Sequence, residues 1–231
     1  MKKSPFEPQI EPQSFQMRYN LHKPWADILF ETQLPPTVLD KMIKISDKVI
    51  ADPKRQNWGS NLAGQIKEEP LITPKILKET NLTDFFGNMV QEYVHQCNLQ
   101  QAPPDQHQHM ETVKAHIQVT LNSMWIVEQQ PGEYNPIHTH TNCDVSAVMY
   151  LKTPNFLPSE KTDRDDDGTI YFIGNSGEKG KLKTNSLKIK PKAGQFFIFP
   201  SHLQHTVYPY KTNDNFARRS VSFNASFEYK Q

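Results

Sequence analysis

The segment Gly132–Glu133–Tyr134–Asn135–Pro136–Ile137–His138–Thr139–His140 carries two imidazoles two positions apart, and a later run, Phe199–Pro200–Ser201–His202–Leu203–Gln204–His205, ends on another. Side chains two apart on a strand point to the same face, so His138 and His140 can aim both rings into one cavity. Three imidazoles, or two and a carboxylate, with coordination positions left open, make the donor set of a catalytic first-row metal. Further on stands Arg218–Arg219–Ser220–Val221–Ser222–Phe223–Asn224. Period two turns Arg218, Ser220, Ser222 and Asn224 one way, and Arg219, Val221 and Phe223 the other. A fixed guanidinium on such a polar wall can grip a carboxylate bidentately.

The strand that follows the histidine pair has the same two-sidedness. Asp144, Ser146, Val148 and Tyr150 share one face, while Val145, Ala147, Met149 and Leu151 share the other. Several other groups compete for notice. His202 lies three residues before His205, an odd separation that points it away from the cavity and toward the rim. His116 is expected within a strand as a packed histidine. The second H-x-H pair, His107 and His109, falls in a polar, proline-rich stretch expected to be a surface loop. Cys143 would be a soft ligand as a thiolate, a role not assigned to it. Trp125 and Tyr134 are expected to pack the cavity wall. Asp163–Arg164–Asp165–Asp166–Asp167–Gly168 lacks the ligand alternation and terminal Glu of a calcium loop and reads as an exposed turn.

Positioning these groups requires many short strands. From residue 111 onward apolar residues alternate (Val113, Ala115, Ile117, Val119, Leu121), and strands follow around 124–127, 145–151, 169–173, 187–189, 196–199, 206–208 and 218–227. Short strands with turn signals between them indicate a sandwich or barrel. Upstream, residues 1–24 form a polar Pro/Gln-rich arm and residues 25–110 a support region. That region offers a short strand at 27–32, a helix after Pro35–Pro36, a loop over 52–80, and a helix whose Leu82, Phe85, Phe86, Met89, Tyr93 and Cys97 form one stripe. Residues 111–231 are the expected core, with loops near 52–80, 100–110 and 155–185 framing its entrance.

With 231 residues and a formal charge of +1, the chain suits one structural domain without a field that would draw it to nucleic acid or membrane. Two cysteines give no disulfide framework, and no secretory or membrane-spanning segment is visible, so a cytoplasmic location is expected.

The motifs together carry a resemblance. Trp125, Asn135–Pro136–Ile137–His138–Thr139–His140, Ser146 with Tyr150–Leu151 and Pro154, Phe199–Pro200–Ser201 with Leu203, His205, Val207 and Pro209, and Arg218 to Asn224 occur in the order found in 2-oxoglutarate/Fe(II)-dependent oxygenases. The chain resembles a bacterial and phage branch of that superfamily over residues 110–227. The resemblance implies a mainly β fold with flanking helices, a double-stranded β-helix (jelly-roll, cupin-like barrel). It implies Fe(II), 2-oxoglutarate and O2, with hydroxylation of a small-molecule or side-chain substrate and release of succinate and CO2. It also picks His205 over His202. Arg218, assisted by Ser220 and Tyr150, would bind the far carboxylate of 2-oxoglutarate, and Tyr134 is within reach of that co-substrate. One departure stands out: His140 occupies the position where the superfamily carries Asp or Glu. Three ligand sets follow: all three of His138, His140 and His205; a set completed by Asp144, as the spacing of a cupin motif suggests; or a set in which His140 stands outside the metal's own ligands. The first is preferred, with Asp144 as fourth or substitute ligand. A cupin-type metal dioxygenase or isomerase without 2-oxoglutarate and a non-catalytic jelly-roll module are the alternatives, and homodimerisation is left open.

Overall fold

A computed structural model describes residues 18–22, 27–160, 165–174, 186–214 and 216–230. Much of the expected N-terminal arm, and Asp163 and Arg164 of the expected exposed turn, therefore lie outside the described residues.

Among the described residues ten strands form two antiparallel sheets. They are β1 (Tyr19–His22), β2 (Leu29–Gln33), β3 (Ile117–Gln129), β4 (Asn135–His138), β5 (Val145–Lys152), β6 (Ile170–Ile173), β7 (Ser186–Ile189), β8 (Gln195–Pro200), β9 (Gln204–Val207) and β10 (Arg218–Tyr229). The larger sheet runs β1-β2-β8-β5-β10-β3 and the smaller β4-β9-β6-β7. From β3 to β10 the chain crosses repeatedly between them, which winds the double-stranded β-helix expected from the sequence.

Period-two patterning separates two apolar layers. Val145, Ala147, Met149 and Leu151 of β5, Phe196 and Ile198 of β8, and Val221 and Phe223 of β10 pack beneath the helices. The intervening Val148, Tyr150, Phe197 and Phe199 face the smaller sheet and join Ile170, Phe172 and Val207 there. Helix α1 (Pro36–Ala51) begins at a proline, whose fixed φ and missing N–H suit a first turn. Its buried Val38, Met42, Ile45 and Val49 recur at helical spacing on the sheet side. A short α2 (Pro74–Glu79) leads to α3 (Thr83–Gln101). There Phe86 is fully buried against Phe196 and Phe223, with ring centroids 6.1 and 5.4 Å away. A phenylalanine so buried contributes about 1.5–3 kcal/mol.

Arg219, on the outward face of β10, ties the layers together. Its guanidinium donates to Glu128 of β3 and to Ser46 and Asp47 of α1. The arginines of the Arg218–Arg219 pair thus serve different sides of one sheet, as the alternation requires.

Residues 107–114 differ from expectation. They form a helix, α4 (His107–Lys114), rather than a loop and the start of a strand. His95, buried in α3, bonds Glu111 at 3.0 Å and docks the new helix. His116 follows it in an exposed turn and not within a strand. Asp166 also departs from the expected exposed turn: it is buried, and Lys188 pairs with it. Among the described residues no helix is long and apolar enough to cross a membrane.

Candidate metal centre and co-substrate pocket

His138 ends β4 and His205 lies in β9, and the antiparallel register sets them directly opposite each other. Cross-strand neighbours on one face lie close enough for side chains to meet, and here the ring centroids are 4.2 Å apart. His140 continues the extended chain beyond β4, where its N–H donates to the Ser201 carbonyl at 2.9 Å. Its Nε2 stands 3.3 Å from Nε2 of His205. One ligand nitrogen from each of the three histidines lies within 4.8 Å of the others. With metal–nitrogen bonds of about 2.0–2.1 Å, adjacent ligands sit about 3 Å apart, so one first-row ion fits this group with little adjustment.

The protein also sets the tautomers. Nδ1 of His138 lies 2.8 Å from the Pro136 carbonyl, and Nδ1 of His205 lies 2.9 Å from the Leu203 carbonyl. An Nδ1–H donated to each carbonyl leaves Nε2 as the lone-pair donor. Asn224 accepts a hydrogen bond from Ser146 at 3.0 Å and also bonds His140. Burial pushes the His140 pKa down to about 4, reinforced by His138. Burial likewise holds His205 well below the ordinary histidine value and lowers His138. Neutral imidazoles at pH 7 are what a metal requires.

Arg218 occupies the same cavity. It is 2% exposed, yet its guanidinium has no carboxylate partner among the described residues. One terminal nitrogen donates to the Gly168 carbonyl at 2.8 Å, the other to Oε1 of Gln129. Nε remains buried with no acceptor. Leaving a charged donor unsatisfied is costly, and a ligand carboxylate would remove that cost. The Tyr150 ring flanks the guanidinium with its centroid 5.6 Å from Cζ. Ser220 lies on the same face, two residues along β10. The donor set therefore fits both groups: three neutral imidazoles for Fe(II), and an unpaired buried guanidinium for the distal carboxylate of 2-oxoglutarate.

One cavity of about 540 Å³ joins these parts, with His138, His140, His205, Tyr150, Arg218, Ser220, Ser222 and Asn224 all on its walls. Trp125 lines it as expected, whereas Tyr134 is 43% exposed and outside the lining. The structure does not bring Asp144 to the cluster. Asp144 is exposed, and its Oδ2 accepts the Phe227 N–H at 3.1 Å. The cause is local: Asn142 has φ of 59°, so the chain turns between His140 and Asp144 and the parity of the strand is not carried across. His202 is exposed and outside the cavity lining, bonded to Asp27 at 2.9 Å, and Cys143 is free and outside the cluster. His107 and His109 are exposed on α4.

Of the three loops expected at the entrance, the first is there: Trp58, Asn61, Leu62, Ala63 and Glu69 line the cavity. No residue of 100–110 does, because α4 docks on α3 away from the mouth. Sequence reasoning missed Gln129, which orients Arg218, and Glu69, a 1%-exposed carboxylate in the wall. Gln129 ends a strand whose alternation could have placed it inside; Glu69 sits beside Pro70 in a polar stretch with no local signal.

Burial, and then the like charge of Glu133, raises the Glu69 pKa to about 7 from 4.5. The folded chain therefore binds more protons than the unfolded one between those values, and stability falls as pH rises through that window. Glu69→Gln removes this dependence. Its melting temperature relative to wild type should climb between pH 4 and pH 8, by an amount corresponding to on the order of 3 kcal/mol. A pH-independent difference in thermal denaturation would refute the buried-carboxylate assignment.

Residues 123–224 match the model of a family described as "Putative 2OG-Fe(II) oxygenase". Among solved structures, a Pseudomonas putida prolyl-4-hydroxylase is 14% identical, with 88% of this chain and 93% of that one covered and a TM-score of 0.50. A Trichoplax adhaerens prolyl hydroxylase, in complex with a hypoxia inducible factor oxygen degradation domain peptide fragment, is 11% identical, with 86% and 83% covered and a TM-score of 0.50. At these identities the structural likeness speaks for the fold. No curated protein gives a significant match. The matched segment is a 2OG-Fe(II) oxygenase domain, a dioxygenase type that depends on Fe(II), 2-oxoglutarate and O2.

Proposed function

We propose that the enzyme hydroxylates a C–H bond of a small-molecule or side-chain substrate, with His138, His140 and His205 holding Fe(II) and Arg218, Ser220 and Tyr150 holding 2-oxoglutarate. The observation that carries this reading is the buried Arg218, lacking a carboxylate partner among the described residues, in one cavity with three clustered imidazoles. Fe(II) bound there would supply O2 activation coupled to oxidative decarboxylation of 2-oxoglutarate to succinate and CO2.

The chain's own residues do the rest. The backbone carbonyls of Pro136 and Leu203 hold two rings with Nε2 facing inward, and Asn224 steadies the third. Arg218 fixes the far carboxylate, so the co-substrate can approach the metal in one orientation. Val148, Ile170 and Val207 supply apolar wall around it. A triad of neutral imidazoles brings no negative charge to the metal, so the 2-oxoglutarate carboxylate that Arg218 does not hold would be the anion beside it.

The test is anaerobic loading with Fe(II), addition of 2-oxoglutarate, and measurement of succinate after O2 is admitted. Succinate should form only with all three present and disappear on chelation of the metal. Iron-loaded protein that neither binds nor consumes 2-oxoglutarate would count against the reading.

A further inference from the structure

Among the described residues Glu69 is the one carboxylate on the cavity wall, and the proposed chemistry gives it no task. Its position is set by an added edge. Leu71 bridges Trp125, the Glu68 carbonyl accepts from Glu128 N–H at 3.0 Å, and the Pro70 carbonyl accepts from Ile126 N–H at 2.9 Å. Glu69 therefore stands opposite Val127, on the inward face that Trp125 and Val127 share. Ser220 of β10 is the next partner of Val127 in the same transverse row. The carboxylate thus points from the sheet edge toward the chamber that Arg218 and the histidines enter from the other side.

The surrounding loop is shaped to the carboxylate. A Cβ on Gly59 would meet Glu69 Oε2 at 3.2 Å, and one on Gly64 would meet Oε1 at 3.1 Å and Asn135 Oδ1 at 2.3 Å. Oε2 has no hydrogen-bond partner, and no Lys, Arg or His pairs with the group among the described residues. The like charge of Glu133 acts on it. Beside it, Trp58 and Leu62 pack on Trp125, whose ring centroid is 6.0 Å from that of His140. A buried acid without a counter-ion, next to two indoles and close to the metal ligands, is complementary to one class of group. Nitrogen cations bond to carboxylates and lie favourably on indole faces.

We propose that the acceptor substrate carries an ammonium or guanidinium group, and that Glu69, flanked by Trp58 and Trp125, binds it and fixes which carbon faces the metal. The inference rests on the oxygenase reading of the site and adds the substrate class to it. The cation belongs to a free amine or to a basic side chain, and the shared chemistry is the N–H cation.

The experiment uses Mn(II)-loaded protein with 2-oxoglutarate under argon, titrated calorimetrically. In the side-chain arm, the Nα-acetyl amides of lysine and arginine are compared with those of norleucine and citrulline. In the free-amine arm, pentylamine and pentylguanidine are compared with 1-pentanol. At least one cation should bind tenfold or more tightly than its neutral counterpart, and the arm in which it does so identifies the source. Glu69→Gln should reduce that preference to within twofold while melting as a folded protein. The same cation should raise O2-dependent succinate release by the Fe(II) enzyme. Equal binding of cationic and neutral members, no binding by any cation, or a preference that survives in Glu69→Gln overturns the proposal. So does a Glu69→Gln protein that loses Mn(II) affinity but keeps the preference, which would make the carboxylate a counter-charge for the metal. Failure of the oxygenase reading is separate, since it would appear as absent 2-oxoglutarate binding by the wild-type protein before any probe is added.

Discussion

His205→Ala is expected to lower O2-dependent succinate formation by about a thousandfold or more, because a bound metal supplies several kcal/mol to such chemistry. His205 is 4% exposed, opposite His138 in the β4–β9 register and 3.3 Å from His140 Nε2. Removing it leaves two imidazoles, too few for the facial set. His138→Ala and His140→Ala should behave alike in metal titrations. Asp144→Asn and His202→Ala, by contrast, should keep metal affinity within about twofold, since surface changes away from special features have small effects. The Asp144 carboxylate is engaged by the Phe227 N–H, and His202 by Asp27. Stoichiometric Fe(II) binding by His140→Ala, together with its loss in Asp144→Asn, would reverse this ligand assignment.

The second large effect belongs to Arg218. Arg218→Ala should raise the KM for 2-oxoglutarate by about a hundredfold or more, as expected when one partner of a desolvated charge pair is lost at about 2–5 kcal/mol. Metal affinity in the absence of 2-oxoglutarate should change far less, because the guanidinium bonds Gly168 and Gln129 rather than any histidine. Arg218→Lys should recover only part of the loss: an ammonium is a point charge without the planar fork. Isothermal titration with 2-oxoglutarate and with the metal alone separates the two quantities. Unchanged 2-oxoglutarate affinity in Arg218→Ala would remove the anchor from this residue.

Much of the barrel was legible because strand alternation is a local property. The faces of β5 and β10 came from counting by two, and the same count that put Arg218, Ser220, Ser222 and Asn224 inside put Val221 and Phe223 under the helices. Counting failed wherever the backbone left the strand. Across Asn142, with its φ of 59°, Asp144 lost its parity with the histidine pair. At 107–116 the apparent alternation of Val113 and Ala115 gave way to helix α4, whose docking uses the bond from His95 of α3 to Glu111, outside the reach of a period-two count.

By itself the sequence determined the donor types, their order and the faces they take within each strand, since these depend on residues a few positions apart. The tertiary structure decided which donors meet. Pairing of β4 with β9 joined His138 to His205, and an edge segment paired with β3 carried Glu69 into the wall. Such meetings are set by register between distant segments and by packing of whole layers, and no local pattern encodes them. For the same reason a carboxylate four residues from the histidine pair stands in solvent, while one from a distant loop lines the cavity.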